Sequence, residues 1–87
     1  MNLRDAKRLA GYNKTKLKRF LGRDHDWYDF DRIGDIDIHQ NRVEYTLLRD
    51  EGHATALATV SLYLVTIGKR LQVCATMDDM DHPAFGR

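Results

Sequence analysis

The sequence contains one cysteine, one proline and six glycines among 87 residues. A single cysteine excludes an intramolecular disulfide framework and a zinc site built from several cysteines. The low proline and glycine content excludes a collagen-like or low-complexity chain. The 43% hydrophobic and 31% charged residues are typical of a soluble globular protein. The length favours a single domain, residues 1–87, with one core.

The sequence also lacks a long hydrophobic run. The longest stretch without a charged residue or histidine, Ala54 to Gly68, has fifteen residues, including three threonines and a serine. A membrane-spanning helix needs about 20 apolar residues. The first residues lack the apolar region of a secretory signal. We therefore expect a cytoplasmic protein that does not enter a membrane.

Charge is divided unevenly along the chain, although the formal net charge is only +1. Residues 1–23 carry eight Lys and Arg against one acid, a net charge of +7. Residues 24–87 carry six Lys and Arg against twelve acids, a net charge of −6. This division is typical of a basic arm that binds a polyanion. It is also compatible with two ends that neutralise each other within one fold or across a dimer.

Residues 2–22 are predicted to form two short amphipathic helices. Asn2 and Asn13 occupy N-cap positions, Gly11 interrupts the pattern, and Gly22 is a natural C-terminal stop. The apolar residues that share a face are Leu3, Ala6, Leu9 and Ala10 in the first helix and Leu17, Phe20 and Leu21 in the second.

From residue 33 to residue 77 the hydrophobic period is two, which predicts an antiparallel meander of three or four strands. The segment 54–67 is long for a strand and also fits a helical spacing, but its β-branched residues favour a bent or bulged strand. Residues 78–87 show no period and are predicted to form a tail. The predicted fold is therefore α+β, with an N-terminal pair of short helices packed on a three- or four-stranded antiparallel β-meander.

One segment of the helical pair carries a motif. In residues 6–21, Ala and Leu precede a glycine, then a polar cap, then Leu and Arg on the second helix. This segment resembles the helix-turn-helix of bacterial DNA-binding proteins, in its Fis-type form. The resemblance implies that Gly11 makes the turn, that Tyr12 and Leu17 hold the two helices together, and that the second helix enters the major groove.

The resemblance also implies two sets of DNA contacts, which together set sequence preference and affinity. The residues implied to face base edges are Asn13, Lys14, Thr15 and Lys16. Those implied to lie on phosphates are Lys18, Arg19 and Arg23. The hypothesis is a small nucleic-acid-binding regulator of transcription that binds duplex DNA, with structured RNA as another ligand for the same basic helices.

A second hypothesis uses the acidic and aromatic segment 24–37. A small phage or mobile-element protein could bind and inhibit a host protein through Trp27, Tyr28 and Phe30, since aromatic residues are common interface hot spots. The same aromatics are also interpreted as anchors that hold the helices on the body. Either hypothesis is compatible with a homodimer formed through an exposed strand edge or through segment 54–67.

The sequence gives little sign of catalysis or of a bound cofactor. It contains no Gly-rich phosphate loop and no Ser, His and Asp in a catalytic order, so we expect neither an enzyme nor a cofactor. Residues 29–34 begin like a calcium loop, but Ile33 and Gln40 occupy ligand positions, so no metal site is predicted. Cys74 is interpreted as a structural thiol.

Overall fold

The computed structural model describes residues 1–22, 29–50 and 54–79. Two helices, α1 (Leu3–Ala10) and α2 (Lys14–Leu21), precede a four-stranded antiparallel sheet. Its strands are β1 (Arg32–Ile38), β2 (Val43–Asp50), β3 (Ala54–Ile67) and β4 (Arg70–Asp79), in the spatial order β1-β2-β3-β4. The predicted α+β arrangement of a helical pair and an antiparallel meander is confirmed.

Local capping explains where both helices begin. The Asn2 side chain accepts a hydrogen bond from the Asp5 backbone N–H at 2.8 Å, and the Asn13 side chain accepts one from the Lys16 N–H at the same distance. Each bond satisfies a backbone donor that has no partner within the helix. Gly22 ends α2 with a φ of 80°, a conformation that glycine adopts without steric cost.

The core lies between the helical pair and one face of the sheet. The fully buried apolar side chains are Leu9 and Leu17 from the helices, Phe30, then Val43, Tyr45 and Leu47 from β2, and Ala58, Val60 and Leu62 from β3. The β2 and β3 members pair directly across the two strands. Because paired residues of antiparallel strands point to the same face, period two puts all of them beneath the helices.

A β-bulge in β1 brings Ile33 and Ile36 to the same face of the sheet. Ile33 pairs with Leu47, whereas Ile36 pairs with Tyr45, so the two intervening β1 residues oppose one β2 residue. Without the extra residue, Ile33 and Ile36 would point to opposite faces of the sheet. The bulge places both on the face that carries the core.

Gly34 lies in this bulge, and its missing side chain makes room for Leu48. A Cβ at position 34 would lie 2.9 Å from Leu48 Cδ1 and 3.1 Å from Leu48 Cγ. We expect Gly34→Ala to lower the free energy of unfolding by about 1 kcal/mol, as overpacking does elsewhere. Urea denaturation measures this loss. In a Leu48→Ala background the same change should cost nothing further, and an equal cost there would contradict the proposed contact.

Segment 54–67 is a single strand of fourteen residues, which confirms the strand interpretation over the helical one. Its pairing with β2 shifts register between Leu47 and Leu48, which is the bulge expected of so long a strand. β4 extends two residues past the predicted end at Met77 and finishes at Asp79. The predicted tail beyond it lies outside the described residues.

Candidate nucleic-acid interface

The second helix presents cationic side chains to solvent. Lys14, Lys16 and Arg19 are exposed on α2, while Leu17 is fully buried. We call these three cations the α2 basic surface. Leu17 attaches the helix to the core, so the side chains that point away from the core meet solvent. Thr15 is exposed beside them.

The first helix also presents cationic side chains to solvent. Arg4, Lys7 and Arg8 are exposed on α1. Across the described part of the chain, no acid forms an ion pair with these residues or with the α2 basic surface. Uncompensated cations on one surface raise the local concentration of polyanions. The two helices therefore carry six exposed cations without an acidic partner among the described residues.

An aromatic patch borders the α2 basic surface. The Tyr12 and Phe20 rings meet edge to face, with centroids 5.8 Å apart, and Lys16 Nζ lies 4.6 Å from the centre of the Tyr12 ring. These three residues and Arg19 line a shallow depression. Phe20 was predicted to belong to the apolar stripe of α2. It is 39% exposed, so it contributes only partly to the core. Cations beside aromatic faces suit both phosphates and stacked bases.

Tyr45 fastens the turn between the helices to the sheet. Its buried hydroxyl donates a hydrogen bond to the Leu9 carbonyl and accepts one from the Tyr12 N–H at 3.1 Å. The Leu9 carbonyl belongs to the last turn of α1, where carbonyls have no partner within the helix. Burial raises the pKa of Tyr45, with the Tyr12 backbone hydrogen bond opposing that rise. One side chain thus ties the end of α1 and the start of the turn that leads into α2 to the sheet.

Sequence reasoning did not identify Tyr45 as a positioning residue. It appears in the sequence only as an apolar member of the period-two pattern in β2. The available signal was its hydroxyl, because a tyrosine at a core position needs a polar partner. Its partners are backbone groups, which the sequence cannot distinguish from any others.

The residues predicted to contact DNA differ in exposure and in their contacts within the protein. Lys14, Thr15, Lys16 and Arg19 are all exposed on α2. The Asn13 side-chain oxygen is engaged in the helix cap, which leaves only its amide NH₂ for a ligand. Lys18 is half-buried, and its Nζ lies 5.0 Å from the centre of the Phe30 ring. Arg23 lies outside the described residues.

The residues predicted for a protein partner do not form a described surface. Phe30 is fully buried in the core. It therefore acts as the anchor that the sequence analysis also considered, and does not offer a contact to another protein. Trp27 and Tyr28 lie outside the described residues.

The described residues contain no cluster of three or more His, Cys, Asp or Glu placed to hold a metal ion. None of the helices in the described ranges has the length and apolarity to cross a membrane. Cys74 is a free, half-buried thiol on β4.

Comparisons with known proteins return nothing: no family model, no curated protein and no solved structure matches the chain. The helix-turn-helix resemblance over residues 6–21 therefore stands on those residues alone. A functional conclusion has to come from the surface chemistry of this chain.

Proposed function

We propose that the protein binds duplex DNA through its helical pair, with the α2 basic surface in the major groove. The observation that carries this proposal is a set of three exposed cations on α2 that form no ion pair with an acid of the described residues. Leu17 anchors this helix in the core, and Tyr45 fastens the turn before it to the sheet. A fixed helix pays little ordering cost when it binds. Since none of the three cations pairs with an acid in residues 1–22, 29–50 and 54–79, binding breaks no ion pair within those ranges.

The dimensions of the helical pair suit this role. α2 is an eight-residue α-helix, and an α-helix with its side chains is about 10–12 Å in diameter. The major groove is about 12 Å wide and admits a helix. Three residues separate α1 from α2, which matches the short turn of a helix-turn-helix. All three cations of the α2 basic surface would then contact phosphates, which replaces the base-edge role that the resemblance implies for Lys14 and Lys16, and Thr15 would face base edges.

A protein that works by occupying DNA needs no catalytic group. Binding near a promoter would regulate transcription, and the compartment of action would be the cytoplasm, where the DNA is reached. Structured RNA presents the same phosphates, but its deep, narrow major groove does not admit side chains. A helix presented as a rigid unit therefore favours DNA over RNA.

Fluorescence anisotropy of a labelled duplex, from about 50 mM to about 300 mM salt, tests the proposal. Each phosphate contact contributes about 0.9 to the slope of log K against log salt, so three contacts predict a slope near −2.7. Unlabelled duplex should displace the probe better than single-stranded DNA or hairpin RNA. A constant anisotropy at the lowest salt would refute the proposal. Preferential displacement by hairpin RNA would reject DNA as the ligand.

A further inference from the structure

The two edges of the sheet are built differently. β1 carries a bulge and the exposed acids Asp35 and Asp37, two features that prevent an edge strand from pairing with another chain. β4 pairs with β3 in one unbroken register and carries no charge, proline or glycine from Leu71 to Met77. Within the described ranges no strand pairs with the outer edge of β4. A long, regular and uncharged edge is a template for another strand.

The β3–β4 hairpin determines which backbone groups reach that edge. A hydrogen-bonded turn at Gly68 and Lys69 joins the pair Ile67 and Arg70. Hydrogen-bonded and non-hydrogen-bonded pairs alternate along an antiparallel ladder. Even-numbered residues of β4 therefore bond to β3, and odd-numbered ones direct their N–H and C=O outward. Only odd-numbered residues can bond to an added strand.

We propose that β4 pairs with β4 of a second copy of this chain, antiparallel, with the two-fold axis at Cys74. Residues whose numbers sum to 148 then face each other. The facing pairs are Arg70 with the partner's Asp78, Leu71 with the partner's Met77, Gln72 with the partner's Thr76, Val73 with the partner's Ala75, and Cys74 with the partner's Cys74. Odd-numbered residues therefore face odd-numbered residues of the partner. Each outward N–H then meets a C=O of the partner, and each outward C=O meets an N–H.

Charge and hydrophobicity select this register over its neighbours. The basic end of β4 faces the acidic end of its copy, so Arg70 and Asp78 form two opposite-charge pairs in the symmetric dimer. Moving the axis by one residue places Arg70 opposite a threonine, or Leu71 opposite an aspartate. The apolar residues on the core face also become continuous across the new seam. They are Leu71, which is 50% exposed, and the half-buried Val73, Ala75 and Met77.

The same features limit assembly to two copies. A two-fold pairing uses the β4 edge of both chains and leaves only β1 edges at the ends of an eight-stranded sheet. The bulge and the acids of β1 discourage any further addition. This pairing does not depend on the proposed nucleic-acid binding, because none of the residues that it uses belongs to the α2 basic surface.

A charge swap tests the pairing. Arg70→Asp places two aspartates opposite each other at both contacts, and Asp78→Arg places two arginines opposite each other at both. Sedimentation equilibrium should show self-association of each single variant weakened about tenfold, since like charges directly opposite are destabilising. A mixture of the two single variants places opposite charges at both contacts. It should recover dimer, as should the double variant Arg70→Asp/Asp78→Arg.

Cys74 reports the register. Cα atoms of a non-hydrogen-bonded pair lie about 4.5 Å apart, within the range that a disulfide spans. Diamide should therefore couple two copies, taking two electrons and two protons from the thiols as it becomes a hydrazine. Thr76→Cys in a Cys74→Ser background should not couple, because that thiol faces position 72 of the partner. Coupling of the Thr76→Cys chain as fast as the wild type would overturn the register. A wild-type chain that sediments as a monomer at about 100 μM, or single variants that still dimerise fully, would overturn the interface.

Discussion

Replacing Lys14 and Lys16 by glutamine should weaken duplex binding about 60-fold at about 0.1 M salt, since each lost phosphate contact removes about 0.9 from the salt slope. The slope itself should fall by about 1.8 for the same reason. Both side chains are exposed, and glutamine is nearly as good a helix former as lysine. The fold should therefore survive, with the Lys16–Tyr12 contact as the one described interaction lost. Anisotropy titrations at several salt concentrations measure affinity and slope together.

A matched variant distinguishes the effect of the α2 basic surface from the effect of the overall net charge. Arg42→Gln/Lys69→Gln removes the same two charges from positions outside the helical pair. Its affinity and salt slope should stay close to those of the wild type. If both double variants lose affinity equally, binding follows the overall charge and the α2 basic surface is not the interface. Thermal denaturation followed by circular dichroism checks that both variants fold.

The helical pair could be predicted from the sequence because its signals are local. Each asparagine cap needs a backbone donor three residues away, so Asn2 and Asn13 fix the helix starts without reference to the rest of the fold. Gly22 fixes an end by its own backbone preference. The same locality explains why Lys14 and Lys16 were correctly expected on an exposed side, since Leu17 sets which side of the helix is buried.

The bulges could not be predicted, because they depend on which strand lies alongside. Ile33 is out of phase with Ile36 in the sequence, and only pairing with β2 shows how a single extra residue brings them together. Likewise, the even-numbered apolar residues of β3 suggest one continuous face. The register shift opposite Leu47 and Leu48 interrupts it.

Within the candidate site, tertiary contacts decide what periodicity leaves open. Lys18 and Arg19 are adjacent cations in the sequence, yet Lys18 lies over the Phe30 ring and Arg19 is exposed. Phe30 itself was open to two interpretations, an interface hot spot or an anchor, and its complete burial favours the anchor. Tyr45 is the clearest case, because its role depends on two backbone groups more than thirty residues away.

Tyr45→Phe should lower the free energy of unfolding by about 2–3 kcal/mol, because it leaves the Leu9 carbonyl and the Tyr12 N–H without their partner in the protein interior. For a domain of this size, that loss corresponds to a fall of roughly 10 °C in Tm. Urea denaturation and thermal melting measure the two quantities. Tyr63→Phe is the matched control, since Tyr63 is half-buried on the same sheet with no hydrogen bond from its hydroxyl to the described residues. Its stability should change by less than about 0.5 kcal/mol, and equal losses in both variants would contradict the assigned role of Tyr45.

The pH dependence gives an independent check on the same hydroxyl. Burial raises the pKa of Tyr45 above its ordinary value of about 10, so the folded chain holds this proton more tightly than the unfolded chain. Its contribution to stability is therefore complete below about pH 10 and is lost as the pH rises through the folded-state pKa. The wild type should lose stability in alkali more steeply than Tyr45→Phe, and parallel curves would count against the assignment.

The salt slope of DNA binding should be unchanged in Tyr45→Phe, because the α2 basic surface keeps all its charges. Lys14→Gln/Lys16→Gln should alter the slope and leave stability nearly intact, so the two variants distinguish the residue that positions the helices from the residues that contact the ligand.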